Sequence, residues 1–230
     1  MSPSPDAAPD PAPAPGPRPI PAPDAASLPD PTTYVSRGAL KLHAAIAAFG
    51  IDPAGRVCAD LGCSTGGFTD CWLRHGAARV YAVDTAYGQL AWKLRQDPRV
   101  VVMERSNALH TPPPPEAAGA TDFISIDLSW TPQRLALPAA LAWLSPGPHA
   151  RIVTLVKPHY EIDKHDLPPG GVLDPDTADA VARRTLATVL PPLGLRLEGL
   201  IRSPVLGGAV SGKKKRKGSG NTEHLALLAR

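Results

Sequence analysis

Asp60-Leu-Gly-Cys-Ser-Thr-Gly-Gly-Phe68 follows directly on the apolar residues 57–59 and leads into an amphipathic segment at 68–75. An apolar run ending in an acid, a glycine-rich turn and a helical pattern read together as strand, loop and helix. Glycine lets the backbone take positive φ and approach a ligand closely. Amides at the start of the next helix offer donors to a polar or anionic group. The stretch points to a nucleotide-like ligand at the first strand of an α/β sheet, with Asp60, Gly62, Ser64, Thr65, Gly66, Gly67 and Phe68 as the candidate contacts. An ordinary tight turn is the rival reading.

Working outward, strand patterns fall at 56–61, 79–83, 100–103, 122–126 and 151–156, with helical patterns between them at 68–75, 89–96 and 132–144. Strict alternation of the two predicts right-handed βαβ units in a parallel sheet covered on both faces. The second strand ends in Asp84, close to the ~20 residues after the glycine loop at which an acid accepts hydrogen bonds from ribose hydroxyls. Asn107 follows the third strand, where its amide could bond a base or simply form a turn. Asp127 ends the fourth strand and Lys157 the fifth. In a parallel sheet these ends share one rim, so Asp60, Asp84, Asp127 and Lys157 are expected to face one cleft.

Farther along, a helix is predicted at 177–190 and strands at 195–202 and 222–228. The linker 203–221 is glycine-rich, which predicts an antiparallel hairpin rather than a crossover helix. The last strand then runs against the others and begins at the ligand rim, bringing Glu223 there. The linker carries Lys213, Lys214, Lys215, Arg216 and Lys217. These five charges exceed the net charge of +3, so the rest of the chain sums to −2. Such a run suits an anionic partner such as RNA or DNA, or is a solvated charge cluster; its place at the cleft mouth favours RNA.

Upstream, residues 1–33 hold 12 of the 29 prolines and little apolar surface. They read as a disordered or polyproline-like tail ahead of one folded domain at 34–230. A helical stripe of Leu42, Ile46 and Phe49 follows, with Arg37 before it and Lys41 beside it. Three cysteines, Cys58, Cys63 and Cys71, form neither an even framework nor a CxxC pair. They read as free thiols in a reducing compartment. The seven histidines lack close pairing in sequence and read as surface or loop residues, so no metal site is expected. With no signal peptide pattern and no apolar run long enough to span a bilayer, a soluble cytoplasmic protein is expected.

Residues 34–41 (Tyr-Val-Ser-Arg-Gly-Ala-Leu-Lys), 64–71 (Ser-Thr-Gly-Gly-Phe-Thr-Asp-Cys), 80–84 with 87–95, and 155–158 (Leu-Val-Lys-Pro) are long, specific matches. On them the chain resembles the FtsJ-like ribose 2′-O-methyltransferases, and within them the TlyA (haemolysin A) group. The resemblance spans 34–230. It implies a class I, Rossmann-like, doubly wound and mostly parallel seven-stranded sheet whose last strand is antiparallel. It implies S-adenosylmethionine as cofactor, held by the Gly66–Phe68 loop, Asp84, Asn107 and Asp127. It also implies a Lys-Asp-Lys-Glu tetrad, which falls on Lys41, Asp127, Lys157 and Glu223. The implied substrate is ribosomal RNA or a ribosomal subunit; Arg37 and the basic run at 213–217 are the candidate RNA contacts of this chain.

Three departures stand out. The proline-rich stretch stands where the group carries an S4 RNA-binding domain, His159-Tyr160 follows Lys157 where the family has a phenylalanine-type segment, and the basic run is unusually strong. The run is expected to supply part of the phosphate affinity. A small-molecule methyltransferase would share the cofactor loop without needing the two lysines and Glu223 together. A non-catalytic RNA-binding or assembly factor would keep the fold and lose a tetrad member. Membrane lysis has no support, for want of an amphipathic or transmembrane segment.

Overall fold

The computed structural model describes residues 20–207 and 220–230, and among them seven strands form one sheet in the order β3-β2-β1-β4-β5-β7-β6. The chain runs α1 (Ala39–Phe49), β1 (Val57–Leu61), α2 (Gly67–Arg74), β2 (Arg79–Val83), α3 (Trp92–Arg95) and β3 (Val100–Met103). It continues with β4 (Phe123–Ile126), α4 (Gln133–Leu141), β5 (Arg151–Val156), α5 (Pro175–Val189), β6 (Arg196–Arg202) and β7 (His224–Ala229). Strands β1 to β5 pair in parallel, and β7 lies antiparallel between β5 and β6. This is the Rossmann-like arrangement, with the last strand reversed.

Strands β4, β5 and β7 are almost wholly buried, as expected for a sheet with helices on both faces. Their alternate residues feed two apolar layers. On one face Leu42, Ile46, Phe68 and Trp72 of α1 and α2 pack with Val80 and Leu225. On the other, Leu137 of α4 and Leu186 of α5 pack with Trp143, Ile124 and Ile152. Trp72 stacks on Phe123, and Tyr81 meets Trp143 edge to face. α1 ends at Gly50 in the left-handed conformation, whose amide reaches back to Ile46.

Ordered contacts begin upstream of the expected domain edge at residue 34. Ile20 is buried, its amide donates to Asp179 Oδ2 at 3.0 Å, and Arg202 N donates to Pro21 O at 2.8 Å. Ile20 supplies the large apolar side chain that its proline- and alanine-rich surroundings lack. Asp179 also takes both Arg202 guanidinium contacts at 2.9 Å and His224 Nε2 at 2.8 Å. His224 and His159 are therefore interior residues, against the surface placement expected from sequence. No described helix is long and apolar enough to cross a membrane.

Candidate active site

Strand order reverses between β1 and β4, and this is where an open α/β sheet leaves a crevice beyond its carboxyl ends. A cleft of about 410 Å³ opens there, walled by Gly62, Ser64, Asp84, Asn107, Asp127 and Trp130 among others. Its size lies within the ~300–1,000 Å³ of small-molecule sites. Gly62 has φ +91°, and a Cβ there would lie 2.6 Å from the Asp127 carbonyl oxygen. Only glycine lets the first loop pass so close to the end of β4.

Asp84 is held from below. Its Oδ2 accepts from Ser64 N at 2.7 Å and its Oδ1 from Ala86 N at 2.8 Å. Each oxygen keeps lone-pair capacity toward the cleft, and the carboxylate is oriented before any ligand arrives. Asn107 also lines the cleft, with its Oδ1 engaged by Leu109 N at 3.0 Å. The turn reading therefore accounts for that oxygen.

The rest of the loop does different work. Thr65 is exposed, and it is not a wall of this cleft; its carbonyl accepts from Ala91 N at 3.1 Å. A Cβ on Gly66 would collide with Leu94 and Leu90, and one on Gly67 with Ser36 and the Ala39 amide. Phe68 sits in the core. These residues seat the loop against α3 and α1.

Asp60 does not face the cleft as expected. It is fully buried, accepting from Thr69 Oγ1 at 2.7 Å and from Ser125 Oγ at 3.0 Å, and Trp72 Nε1 donates to Ser125 Oγ at 3.0 Å. Burial pushes its carboxyl up to about 7, against the lowering effect of the Thr69 and Ser125 hydrogen bonds. The alternation of β1 explains the difference: Asp60 pairs with Ser125 of β4 inside the sheet rather than beyond its end.

At the rim beside the cleft four charged side chains converge from opposite ends of the chain. Lys41 Nζ, from the first turn of α1, donates to Glu223 Oε2 at 2.6 Å and lies 3.9 Å from Asp127 Oδ2. Lys157 Nζ lies 2.6 Å from Asp127 Oδ1 and donates to the Leu128 carbonyl at 3.0 Å. Both lysines and Glu223 are at least nine-tenths buried, while a quarter of the Asp127 side chain is exposed. Two cations and two anions balance, as a buried cluster requires. Burial works to raise Asp127, yet the Lys157 and Lys41 charges prevail and hold it below the usual carboxylate range. At Glu223 burial prevails over the Lys41 charge, and its carboxyl is raised.

Aromatic residues border this cluster, among them Trp130, which the sequence did not mark out. Trp130 is 69% exposed, takes φ +57° and stacks on Tyr160 with ring centroids 5.1 Å apart. Tyr160 is raised by burial and by the Glu223 and Asp127 charges. His159, buried next to Lys157, is held down at about 4 by burial and by that charge. The available signal was a tryptophan shortly after a strand-ending acid. Arg37 is exposed ahead of α1. The basic residues Lys213, Lys214, Lys215, Arg216 and Lys217 lie outside the described residues.

The family model for FtsJ-like methyltransferases matches residues 34–205. The 16S/23S rRNA (cytidine-2′-O)-methyltransferase TlyA of Mycobacterium tuberculosis is 44% identical over 196 residues, covering 85% of this chain and 68% of that protein. A candidate rRNA methyltransferase of Bacillus subtilis, YqxC, is 41% identical over 179 residues, covering 78% of this chain and 63% of its own length. The solved structure of a candidate hemolysin from Streptococcus thermophilus aligns with TM-score 0.74 and 38% identity, over 85% of this chain and 66% of that one. The chain thus spans about two thirds of the length of these relatives.

Proposed function

Because the chain belongs to the FtsJ-like methyltransferase family, we propose that it transfers the methyl group of S-adenosylmethionine to a ribose 2′-hydroxyl of ribosomal RNA. The observation that carries this reading is the buried Lys41–Glu223 and Asp127–Lys157 pairing at the rim of the cleft. A small-molecule methyltransferase would share the cofactor cleft without needing Lys41, Lys157 and Glu223 together. A purely RNA-binding factor gains nothing from desolvating four charges.

The cleft suits the cofactor. Asp84 presents lone pairs where ribose hydroxyls can donate, Gly62 keeps the crevice open, and Asp127 offers negative charge toward a cationic ligand. When bound, S-adenosylmethionine supplies a methyl group activated by its sulfonium charge. The chain must then align the ribose oxygen in line with that methyl and stabilise the charge that grows on the oxygen.

Lys157 Nζ is the group for that charge. Two of its three donor positions are taken by Asp127 and the Leu128 carbonyl, leaving one for the ribose oxygen. This arrangement suits an ammonium that stabilises the developing alkoxide, the hydroxyl proton being released to water as the O–CH₃ bond forms. Lys41, tied to Glu223, adds a second positive charge on the far side of Asp127. Trp130, exposed and stacked on Tyr160, offers a face for the target base.

The test is labelled methyl transfer to ribosomes, isolated subunits and naked rRNA, with wild type and Lys157→Ala side by side. Label should enter rRNA as a 2′-O-methyl nucleotide with wild type and fall to background with the variant, while cofactor affinity is retained. Near-normal turnover of Lys157→Ala would remove Lys157 from the reaction. A rate that rises with pH and then levels would turn its role into proton acceptance; a flat profile supports charge stabilisation.

A further inference from the structure

On the side of α1 away from the cleft, three potential metal donors converge. One ligand atom each from His43, Cys71 and His75 lie within 4.8 Å of one another. The two imidazole nitrogens are 3.2 Å apart, and the Tyr34 hydroxyl stands 3.3 Å from the same His43 Nδ1. An imidazole nitrogen carries either one lone pair or one proton, directed in the ring plane. Two polar neighbours meet at that single position at His43, and the Tyr34 hydroxyl also interacts with the Cys71 thiol.

We infer that His43, Cys71 and His75 form a site for one divalent transition-metal ion of the zinc type, clamping α1 to α2. Zinc takes imidazole nitrogen at ~2.0–2.1 Å in tetrahedral geometry, which sets two such nitrogens ~3.3 Å apart, close to the separation present here. Two nitrogens and one sulfur form a borderline-soft donor set that disfavours magnesium and calcium, and the group contains no carboxylate. Cys71 and His75 stand one helical turn apart on the same face, and His43 comes from the neighbouring helix. Cys71 is fully buried while both imidazoles are only partly so, which gives the ion an entrance from the histidine side. The fourth position is open to water or to the Tyr34 hydroxyl. On binding, a metal–sulfur bond forms and the Cys71 proton passes to solvent.

The site is structural. His43 lies two residues after Lys41, and α2 starts directly after the glycine loop. An ion here would fix α1, which carries Lys41, to α2, which follows the glycine loop.

The experiment uses the full chain without a histidine tag, stripped with chelator under a thiol-free reductant. Zn²⁺ is titrated against a chromophoric chelator, and Co²⁺ by absorption. One ion per chain is expected, with a cobalt–thiolate band in the near ultraviolet. Saturating Zn²⁺ at 100 times its Kd should raise the melting temperature by roughly 5–10 °C. His75→Ala and His43→Ala, changed at partly exposed positions, should each weaken binding roughly 100-fold or more, and Cys71→Ser should abolish the thiolate band. Cys63→Ser should leave both unchanged. Absence of stoichiometric uptake at micromolar Zn²⁺, or uptake that survives His75→Ala and His43→Ala, overturns the site.

Discussion

Lys41 and Glu223 stand 182 positions apart in sequence and meet at 2.6 Å in the interior of the rim. The pair ties the first helix to the start of the last strand, so it has a structural consequence as well as a chemical one. Removing one partner strands the other charge in a buried place, which costs about 3–5 kcal/mol. Lys41→Ala is therefore expected to destabilise more than the double variant Lys41→Ala/Glu223→Gln, in which no carboxylate is left without a cation. Denaturant unfolding of the two single variants and the double variant measures this. A double variant whose loss equals the sum of the singles would mean that the two side chains act independently.

Trp130 offers an aromatic face to solvent at the cleft, backed by Tyr160. Stacking of a base on an aromatic ring is worth ~1–3 kcal/mol. Trp130→Ala should thus weaken RNA binding roughly 5- to 150-fold, with a smaller change in cofactor affinity, and Trp130→Phe should recover most of the loss. Direct binding measurements with RNA and with cofactor separate the two effects. Equal weakening for both ligands would assign Trp130 to the cofactor wall.

Asp60 supplies a pH test of stability. Its folded-state pKa of about 7 lies above the ~3.9 of an unfolded aspartate. For a carboxyl raised in this way, the folded state holds the proton more tightly. Its contribution is fully present below about pH 4 and is lost as pH rises through about 7. Asp60→Asn keeps a neutral group beside Ser125 and Thr69 at every pH. The melting temperature of the variant minus that of wild type should therefore grow more positive from pH 5 to pH 8. A difference that does not change with pH would show Asp60 ionised across that range.

The strands were the most legible part of the chain. Those at 79–83, 100–103 and 151–156 coincide with β2, β3 and β5; β2 and β5 are buried apolar runs, while β3 is a half-exposed edge strand of β-branched residues. The helical pattern at 89–96 shrank to Trp92–Arg95, since Ala91 N bonds Thr65 O and Leu90 and Leu94 close over Gly66. That tertiary demand overrode local periodicity. In the site, Asp84 and Asp127 could be read as strand-ending acids, but β1 turned Asp60 inward, and the strand pattern alone does not tell the last buried residue from the first rim residue. The exposed stacking of Trp130 was hidden because a tryptophan reads as core. The pairing of His43 with His75 arises from the packing of α1 on α2, although Cys71 and His75 already lay one turn apart in sequence.

Glu223 and Gly207 bring the two ends of the basic segment to the rim: a Cβ on Gly207 would lie 2.5 Å from Glu223 Oε1, and Gly207 N donates to Asn221 O at 2.9 Å. The run Lys213, Lys214, Lys215, Arg216 and Lys217 lies in sequence between these two described ends and carries five positive charges. Cations that neutralise phosphates release counterions, which makes affinity fall with salt by a slope of roughly −0.7 for each phosphate neutralised on single-stranded RNA. Replacing the five residues with glutamine and serine should weaken RNA binding at low salt. The plot of log affinity against log salt should flatten by roughly 0.7 for each phosphate that the replaced loop leaves unneutralised. Cofactor affinity should not move. A slope unchanged by the replacement would make the run a solvated charge cluster and shift phosphate recognition to the exposed Arg37 and other surface cations.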